Sequence, residues 1–298
     1  MLTWILAILL LTSSVSGCSV QNPAKKPAPQ PGKITDNRKN TAGDEQSKMR
    51  LPWENDPAFI KAKQENRTPV LIASYSATLP DPILGERHNI SLAADILRGA
   101  VVKPGQVFSL NARLGWRSAG RGFRPGPMYQ AGRIVSTVGG GVCKIASVIY
   151  NVAILANQEI VERHPHSMTV PYVPPGQDAT ISYGTKDFKF RNTTGEPILI
   201  WARNTGGTLY MAFYGSKAGP RVRWTHKTLS KSKTWTEYTY DSKMSEGMEK
   251  VEVQGSDGIA VHSWITVTDK NGKEIVKDLG VSSYRPCPRV VVKGRAPE

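Results

Sequence analysis

The sequence predicts an α+β fold in which one buried helix is flanked by antiparallel strands and a small all-β module follows. Apolar residues recur at helical spacing over residues 142–156 and cover nearly every face, which indicates a buried helix. Short strand-like runs lie on both sides of it. Near the C-terminus, Asn271-Gly272 between two alternating runs indicates a β-hairpin. One central helix among several strands favours the α+β class.

Three consecutive glycines, Gly139, Gly140 and Gly141, precede the central helix. They allow positive φ angles and a close approach of the backbone to a partner. Cys143 follows in the first helical turn, among N–H groups without helical acceptors at the positive end of the helix dipole. That environment favours a thiolate, and the same N–H groups suit an oxyanion. Cys143 is therefore a candidate nucleophile, and a small buried hydrophobic residue is the alternative interpretation.

Residues 1–18 have the pattern of an export signal. The apolar run Trp4–Leu11 is too short to span a bilayer. It leads into Val15-Ser16-Gly17-Cys18, which resembles the lipobox of bacterial lipoproteins, although no Lys or Arg precedes the run. We expect lipidation at Cys18 and an extracytoplasmic protein anchored to the membrane. An ordinary cleaved signal with an incidental cysteine is the alternative.

The rest of the chain divides by composition. Residues 19–55 combine prolines with polar residues and predict a disordered tether. Residues 56–215 are expected to form the main domain, and residues 216–298 a β-rich C-terminal region.

The chain has a formal net charge of +15, and the basic excess is spread along it. No Arg/Lys block with interleaved aromatic residues is present, so nucleic acid is not an expected partner. The charge instead predicts attraction to anionic wall polymers or to a lipid surface.

Between the first strand and the glycines, residues 91–99 predict a helix capped by Asn89 or Ser91. Residues 115–138 are rich in Gly, Arg and Pro without periodicity, and they predict a long surface loop. Within it, Arg117 and Arg121 are candidates for binding a substrate carboxylate. Solvated loop charges are the alternative interpretation of these arginines.

Two of the five histidines lie in the segment His164-Pro165-His166, about twenty residues after Cys143. A histidine that approaches Cys143 would supply the base of a Cys–His pair. Metal binding is the alternative, but no further cluster with zinc-ligand spacing accompanies the two histidines, so we expect no metal and no other cofactor. Tyr172, after this segment, and Ser147, on the central helix, are further candidates for substrate contacts.

Several separated motifs between residues 69 and 215 together resemble the VanW family. In chain order they are Pro104-Gly105-Gln106-Val107-Phe108-Ser109, Gly139-Gly140-Gly141-Val142-Cys143, Tyr150-Asn151, His166-Ser167, Tyr172-Val173-Pro174, Gly176-Gln177-Asp178-Ala179-Thr180 and Phe190-Arg191-Asn192.

The family takes its name from glycopeptide-resistance gene clusters, and some of its members are understood to be L,D-transpeptidases with a cysteine nucleophile. The resemblance implies that role for Cys143, with His166 as the preferred base and His164 as the alternative. Asp178 would orient the histidine, although a cap at the start of a strand is an equal interpretation. The expected partners are peptidoglycan stem peptides. After the cysteine, Lys144-Ile145-Ala146-Ser147 stands where the family commonly has Gln-Val-Ser-Thr, which removes a potential orienting amide.

From about residue 245 the C-terminal region resembles a G5 domain, an all-β module of bacterial surface proteins. It contains Cys287, the third cysteine of the chain. In an oxidising compartment a Cys143–Cys287 disulfide is an alternative to two thiols.

Two functional interpretations follow. In the first, the protein is a cysteine-dependent L,D-transpeptidase-like acyltransferase of the cell envelope. In the second, it is a non-catalytic peptidoglycan-binding or wall-assembly protein in which Cys143 only packs in the core.

Overall fold

The computed structural model describes residues 50–79, 82, 84–130 and 133–294. The predicted signal segment, its Cys18 and residues 19–49 of the predicted tether lie outside the described residues. Helices and strands are both present, strands predominate, and the C-terminal region is all β, so the predicted α+β class is confirmed.

The described helices are α1 (Pro57–Glu65), α2 (Leu84–Leu97), α3 (Leu110–Leu114) and α4 (Cys143–Leu155). The strands before the C-terminal region are β1 (Val70–Thr78), β2 (Ala100–Val102), β3 (Val107–Ser109), β4 (Pro125–Gln130), β5 (Arg133–Val138), β6 (Glu159–Glu162), β7 (Lys189–Arg191), β8 (Ile198–Thr205) and β9 (Thr208–Gly215). Those of the C-terminal region are β10 (Arg221–Ser232), β11 (Thr236–Asp241), β12 (Glu249–Val253), β13 (Gly258–Thr268), β14 (Glu274–Tyr284) and β15 (Arg289–Gly294).

Helix α4 is the centre of the main core. It packs on an antiparallel sheet with the strand order β1-β9-β8-β2, and every residue from Ile145 to Leu155 is buried. The predicted buried helix is thus observed. It can be apolar on nearly all faces because neighbouring elements cover each face. Helix α2 packs on β8 and contacts α4, so the start of α4 is held between α2 and the sheet.

The C-terminal module consists of two three-stranded sheets, with the orders β10-β13-β14 and β11-β15-β12. The predicted hairpin at Asn271-Gly272 joins β13 to β14. The module contacts the main domain through β10, where the Trp224 ring lies 5.5 Å from the Tyr150 ring of α4 in an edge-to-face arrangement. Both rings are buried, so this contact belongs to the core.

Two predictions for the segment before the central helix are wrong. Residues 125–130 and 133–138 pair as the antiparallel strands β4 and β5 instead of forming a loop, since backbone pairing stabilises a ribbon that has no side-chain periodicity. Asn89 and Ser91 do not cap a helix, because α2 begins at Leu84 and both lie inside it. The Asn89 side chain is fully buried and binds backbone groups of another segment.

The folded domain also begins earlier than the composition suggests. Leu51 and Trp53, placed in the predicted tether, are buried against Phe59 of α1 and Tyr214 of β9, and Trp53 Nε1 donates to the Tyr214 hydroxyl at 2.9 Å. These apolar contacts fix the start of the domain. Over the residues that the structure describes, no helix is both long and apolar enough to cross a membrane.

Candidate active site

Cys143 is the first residue of α4, and its side chain is partly buried beside the segment that follows Asp178. Its sulfur lies 3.2 Å from the Thr180 hydroxyl and donates to the Ile181 carbonyl at 3.7 Å. It is a free thiol, so the alternative of a disulfide with Cys287 is not observed. Thr180 is part of a motif in the sequence, but its place beside the sulfur depends on the tertiary fold.

His166 and Asp178 form a directly hydrogen-bonded pair. Asp178 Oδ2 lies 2.7 Å from His166 Nδ1 and also accepts from the His166 backbone N–H at 2.7 Å. The carboxylate is only 1% exposed. Its second oxygen accepts from Arg163 at 3.0 Å and from the Tyr284 hydroxyl. The aspartate is therefore fixed on both oxygens and holds Nδ1 of His166, so Nε2 is the ring nitrogen that can act on the thiol.

Cys143, His166 and Asp178 shift one another's pKa values toward the charged forms. Burial by itself raises the pKa of Cys143, but the hydrogen bond and positive charge of His166, with smaller contributions from Thr180 and Ile181, lower it to about 7. Burial disfavours the charged form of His166, whereas Asp178 and Cys143 raise its pKa to about 9. Both shifts favour a thiolate beside an imidazolium over a neutral thiol beside a neutral imidazole.

The second histidine of the segment is placed elsewhere. His164 Nε2 lies 2.9 Å from Glu162 Oε1, and the His164 carbonyl accepts from Thr180 N at 2.8 Å. His164 is thus paired with Glu162, whereas His166 interacts with both Asp178 and Cys143.

The three glycines have different roles in the loop before α4. The amides of Gly139 and Gly140 donate to carbonyls next to and within the β4–β5 hairpin at 3.0 Å each, so neither is available for an oxyanion. Among the described residues, no carbonyl accepts from the amides of Gly141 and Cys143. These two N–H groups, at the start of a 13-residue helix, are the donors that this loop offers next to the sulfur.

Asn89 of α2 braces this loop. Its Nδ2 donates to the Gly140 carbonyl at 3.0 Å and to the Arg124 carbonyl at 2.8 Å, while its Oδ1 accepts from Arg124 N at 2.8 Å. Gly140 lies against Gly126 so closely that a Cβ on Gly140 would stand 2.2 Å from the Gly126 carbonyl oxygen. Only glycine fits there. This role of Asn89 was not predicted from the sequence, where the available signal is a polar residue on the apolar side of a helix.

Arg117 lies beside the glycines and close enough to Cys143 to interact with its charge, although burial lowers the pKa of the arginine. Its guanidinium donates to Asn111 Oδ1 at 2.7 Å and lies 5.7 Å from the Tyr183 ring. The Tyr183 ring in turn meets the Trp116 ring edge to face at 5.3 Å. Trp116 is 60% exposed and Tyr183 46% exposed, so the two rings form an open aromatic surface near the thiol, here called the aromatic platform.

Two further predicted substrate contacts are placed differently. Arg121 is exposed and donates to the Leu114 carbonyl at 2.9 Å, and its contact with a substrate carboxylate stays a prediction. Ser147 is fully buried, where its hydroxyl donates to the Ala179 carbonyl at 3.1 Å and accepts from the Ala179 amide at 3.0 Å. Ser147 therefore joins α4 to the segment of Asp178 and is out of reach of a substrate.

Lys144, which stands where the resemblance leads one to expect a glutamine, forms a buried ion pair with Glu86 of α2. Burial lowers the pKa of Lys144 to about 8. Its ammonium lies 5.3 Å from the partly buried Tyr172 ring, which places Tyr172 at the edge of the glycine loop. This ion pair joins α2 to α4 just after the nucleophile position. Within residues 50–79, 84–130 and 133–294, no three His, Cys, Asp or Glu side chains are grouped so as to hold a metal ion.

The chain is similar to known proteins over two separate ranges. Residues 85–214 match the family model described as VanW like protein, and residues 226–296 match the G5 domain model. The chain is 42% identical over 129 residues to the uncharacterized protein YoaR of Bacillus subtilis, and 30% identical over 118 residues to the vancomycin B-type resistance protein VanW of Enterococcus faecalis. These alignments cover 43% and 38% of this chain, and 43% of each relative.

Two solved G5 structures are also similar to the C-terminal part. They are the IgA1 protease G5 domain, at 24% identity, and HP0197-G5, at 20% identity. They cover 26% and 25% of this chain, and 94% and 99% of those chains. The TM-scores of 0.18 and 0.15 are too low to support any argument about the fold. The VanW and G5 matches together indicate an extracytoplasmic protein associated with the cell wall. The chain therefore carries a VanW domain followed by a G5 domain.

Proposed function

We propose that the VanW domain is a cysteine-dependent acyltransferase of the L,D-transpeptidase type that acts on peptidoglycan stem peptides. The observation that carries the proposal is the arrangement of Cys143, His166 and Asp178: Asp178 is hydrogen-bonded to His166, and His166 lies close enough to Cys143 to lower the pKa of its thiol. A thiolate, a base and an orienting carboxylate in this order are the components of nucleophilic acyl transfer.

In the first step the Cys143 thiolate attacks the carbonyl carbon of the third residue of a tetrapeptide stem, and a C–S bond forms. The oxyanion accepts hydrogen bonds from the amides of Gly141 and Cys143. When the intermediate collapses, the C–N bond to the terminal D-alanine breaks. The departing nitrogen takes the proton of the His166 imidazolium, which leaves a thioester and a neutral histidine.

In the second step an amine of a neighbouring stem attacks the thioester carbonyl and gives its proton to His166. The C–N bond of an L,D cross-link forms, the C–S bond breaks, and the thiolate–imidazolium pair is restored. Asp178 stays ionised throughout, because the hydrogen bond and charge of His166 and the charge of Arg163 lower its pKa despite burial.

The aromatic platform and Arg117 suit the rest of such a substrate. Exposed Trp116 and Tyr183 offer ring faces with polar edges to a disaccharide-peptide, while Arg117 places a positive charge near a stem carboxylate. Of the four substrate contacts expected from the sequence, Arg117 keeps that role in the proposal and Tyr172 lies at the rim of the site.

The sequence at Cys18 adds a proposal about location. A lipid on Cys18 would hold the folded domains at the extracytoplasmic face of the membrane, with the Pro-rich segment before residue 50 as the tether. The basic chain and the G5 domain both fit a partner in the anionic cell wall.

The relative from Enterococcus faecalis is described as a vancomycin B-type resistance protein. An L,D-transpeptidase would rationalise a role of that kind, because it forms cross-links without using the D-Ala-D-Ala terminus that glycopeptides bind.

The test is intact-protein mass spectrometry of residues 19–298 under reducing conditions, with a disaccharide-tetrapeptide or a carbapenem as the acyl donor. We expect a covalent adduct on the parent and none on Cys143→Ala. The variant retains Cys287, so it also controls for reaction at the other thiol of this protein. If neither donor forms an adduct while Cys143 is alkylated at an ordinary thiol rate, the acyltransferase is excluded and the non-catalytic wall-binding interpretation takes its place.

A further inference from the structure

The G5 domain reaches the candidate active site through Tyr284, the last residue of β14. Its side chain is 4% exposed. The hydroxyl donates to Asp178 Oδ1 and accepts from the Gly176 backbone N–H at 2.7 Å. Burial and the neighbouring Asp178 raise the pKa of Tyr284, so the phenol keeps its proton and remains a donor.

A second contact between the domains passes through Arg163. Its Nη2 donates to Asp178 Oδ1 at 3.0 Å and its Nε to the Asp178 backbone carbonyl at 2.8 Å. Its Nη1 donates to the Ser282 hydroxyl of β14 at 2.8 Å. Ser282 is buried, so the guanidinium is enclosed between the two domains.

The segments that carry the histidine and the aspartate also rest on the G5 domain. The Ser167 carbonyl, one residue after His166, accepts from Arg285 N at 2.7 Å. A Cβ on Gly176, two residues before Asp178, would lie 2.6 Å from the Ser263 hydroxyl. The backbones around both members of the pair are thus packed against the C-terminal module.

We infer that the G5 domain is a structural part of the active site, and that Tyr284 is a positioning residue that fixes Asp178 and through it His166. This inference rests on the function proposed for Cys143. Asp178 Oδ2 serves His166, whereas Oδ1 is buried and depends on Tyr284 and Arg163 for its donors. Without the Tyr284 hydroxyl, the Gly176 amide loses its acceptor and the carboxylate loses one of the donors that set its orientation.

A consequence for the protein in the wall follows from the same contacts. Because β14 belongs to the domain that the proposal assigns to wall contact, a displacement of the G5 domain would move the Tyr284 hydroxyl away from Asp178. The reactivity of Cys143 would then depend on whether the G5 domain keeps the Tyr284 hydroxyl in contact with Asp178.

The test compares the parent with Tyr284→Phe in residues 19–298, since phenylalanine keeps the buried ring and removes only the hydroxyl. The first readout is the rate of Cys143 alkylation as a function of pH. We expect its midpoint to rise by about half a pH unit or more toward that of an ordinary thiol, because a less firmly held imidazole stabilises the thiolate less. The second is the rate of acyl-adduct formation with a disaccharide-tetrapeptide, which we expect to fall about tenfold.

Tyr240→Phe is the matched control, since Tyr240 is 66% exposed on the same domain and removed from these contacts. It should leave both readouts unchanged. Ser282→Ala, which takes the acceptor from Arg163, should shift the alkylation midpoint in the same direction by a smaller amount and provides a second variant if Tyr284→Phe folds poorly.

An alkylation midpoint in Tyr284→Phe equal to or below that of the parent would overturn the inference. This outcome is distinct from failure of the proposed function. If the parent has a lowered thiol midpoint but forms no acyl adduct, the acyltransferase fails, while the alkylation midpoints still decide whether Tyr284 positions the pair.

Discussion

Asp178 accepts two hydrogen bonds from His166 on a single carboxylate oxygen, one from the ring Nδ1 and one from the backbone N–H, each 2.7 Å long. The backbone bond fixes where the histidine residue lies, and the ring bond fixes how its imidazole is turned. A carboxylate that controls both sets the geometry of the base toward Cys143.

Replacing this carboxylate tests its role directly. We expect Asp178→Asn to slow acyl-adduct formation by at least about 100-fold, because the imidazolium loses the charge that stabilises it and the asparagine amide competes for the same nitrogen. The alkylation midpoint of Cys143 should rise at the same time, as the pKa of His166 falls.

Asp95→Asn is the control for this variant, since Asp95 is an exposed residue of α2 that pairs with Arg98. A normal adduct rate in Asp178→Asn would show that Asp178 is only a structural cap at the start of its segment.

The acyl-transfer rate should depend on pH in a bell shape. The Cys143 thiolate forms as the pH rises through about 7, and the His166 imidazolium is lost as it rises through about 9. The active pair is thus populated between these values, and the rate should fall on both sides. The measurement is the initial rate of adduct formation in buffers of constant ionic strength. A single rise near the pKa of a free thiol, with no decline above it, would contradict the ion pair.

Asn89→Ala should weaken both the fold and the reactivity of the thiol. The variant leaves the Gly140 carbonyl without its side-chain donor and the Arg124 N–H without its acceptor, which costs about 1–3 kcal/mol in the free energy of unfolding. We also expect slower adduct formation, because the loop is no longer held at Gly140 and the adjacent Gly141 and Cys143 amides are less well positioned for the oxyanion.

Chemical denaturation and the adduct rate measure these two effects. Asn66→Ala is the control: Asn66 donates to the Ala62 carbonyl at the end of α1, away from the site. That variant should cost about 1 kcal/mol or less and leave the adduct rate unchanged. Equal effects of the two variants on the adduct rate would contradict a specific role of Asn89.

Trp116→Ala should weaken substrate binding without changing the thiol. Removal of one ring of the aromatic platform deletes apolar contact area, so we expect the substrate concentration at half-maximal rate to rise about five- to tenfold. The alkylation profile of Cys143 should stay that of the parent. Trp235→Ala, at a 49% exposed tryptophan of the G5 domain, serves as the control. If Trp116→Ala and the parent saturate at the same disaccharide-tetrapeptide concentration, the platform does not bind this substrate.

The patterns along the chain were sufficient for the elements that depend on nearby residues. The apolar spacing predicted α4 and its burial, the triple glycine predicted a tight loop before it, and Asn271-Gly272 predicted the β13–β14 hairpin. Each of these elements depends on local spacing or on backbone freedom at one position. Consecutive residues are enough to determine both properties.

The sequence also named Cys143, His166 and Asp178 as candidates, but it left His164 open and gave Thr180, Asn89 and Tyr284 no role at the site. Only the tertiary structure placed the last three: Thr180 meets Cys143 across 37 residues of chain, Asn89 meets Gly140 across 51, and Tyr284 meets Asp178 across 106 and from another domain. A hydrogen bond forms only when the donor–acceptor distance lies within a few tenths of an ångström of its optimum, and sequence spacing does not encode that precision. The packing of α2, α4 and the G5 domain therefore decided which polar groups meet at the thiol.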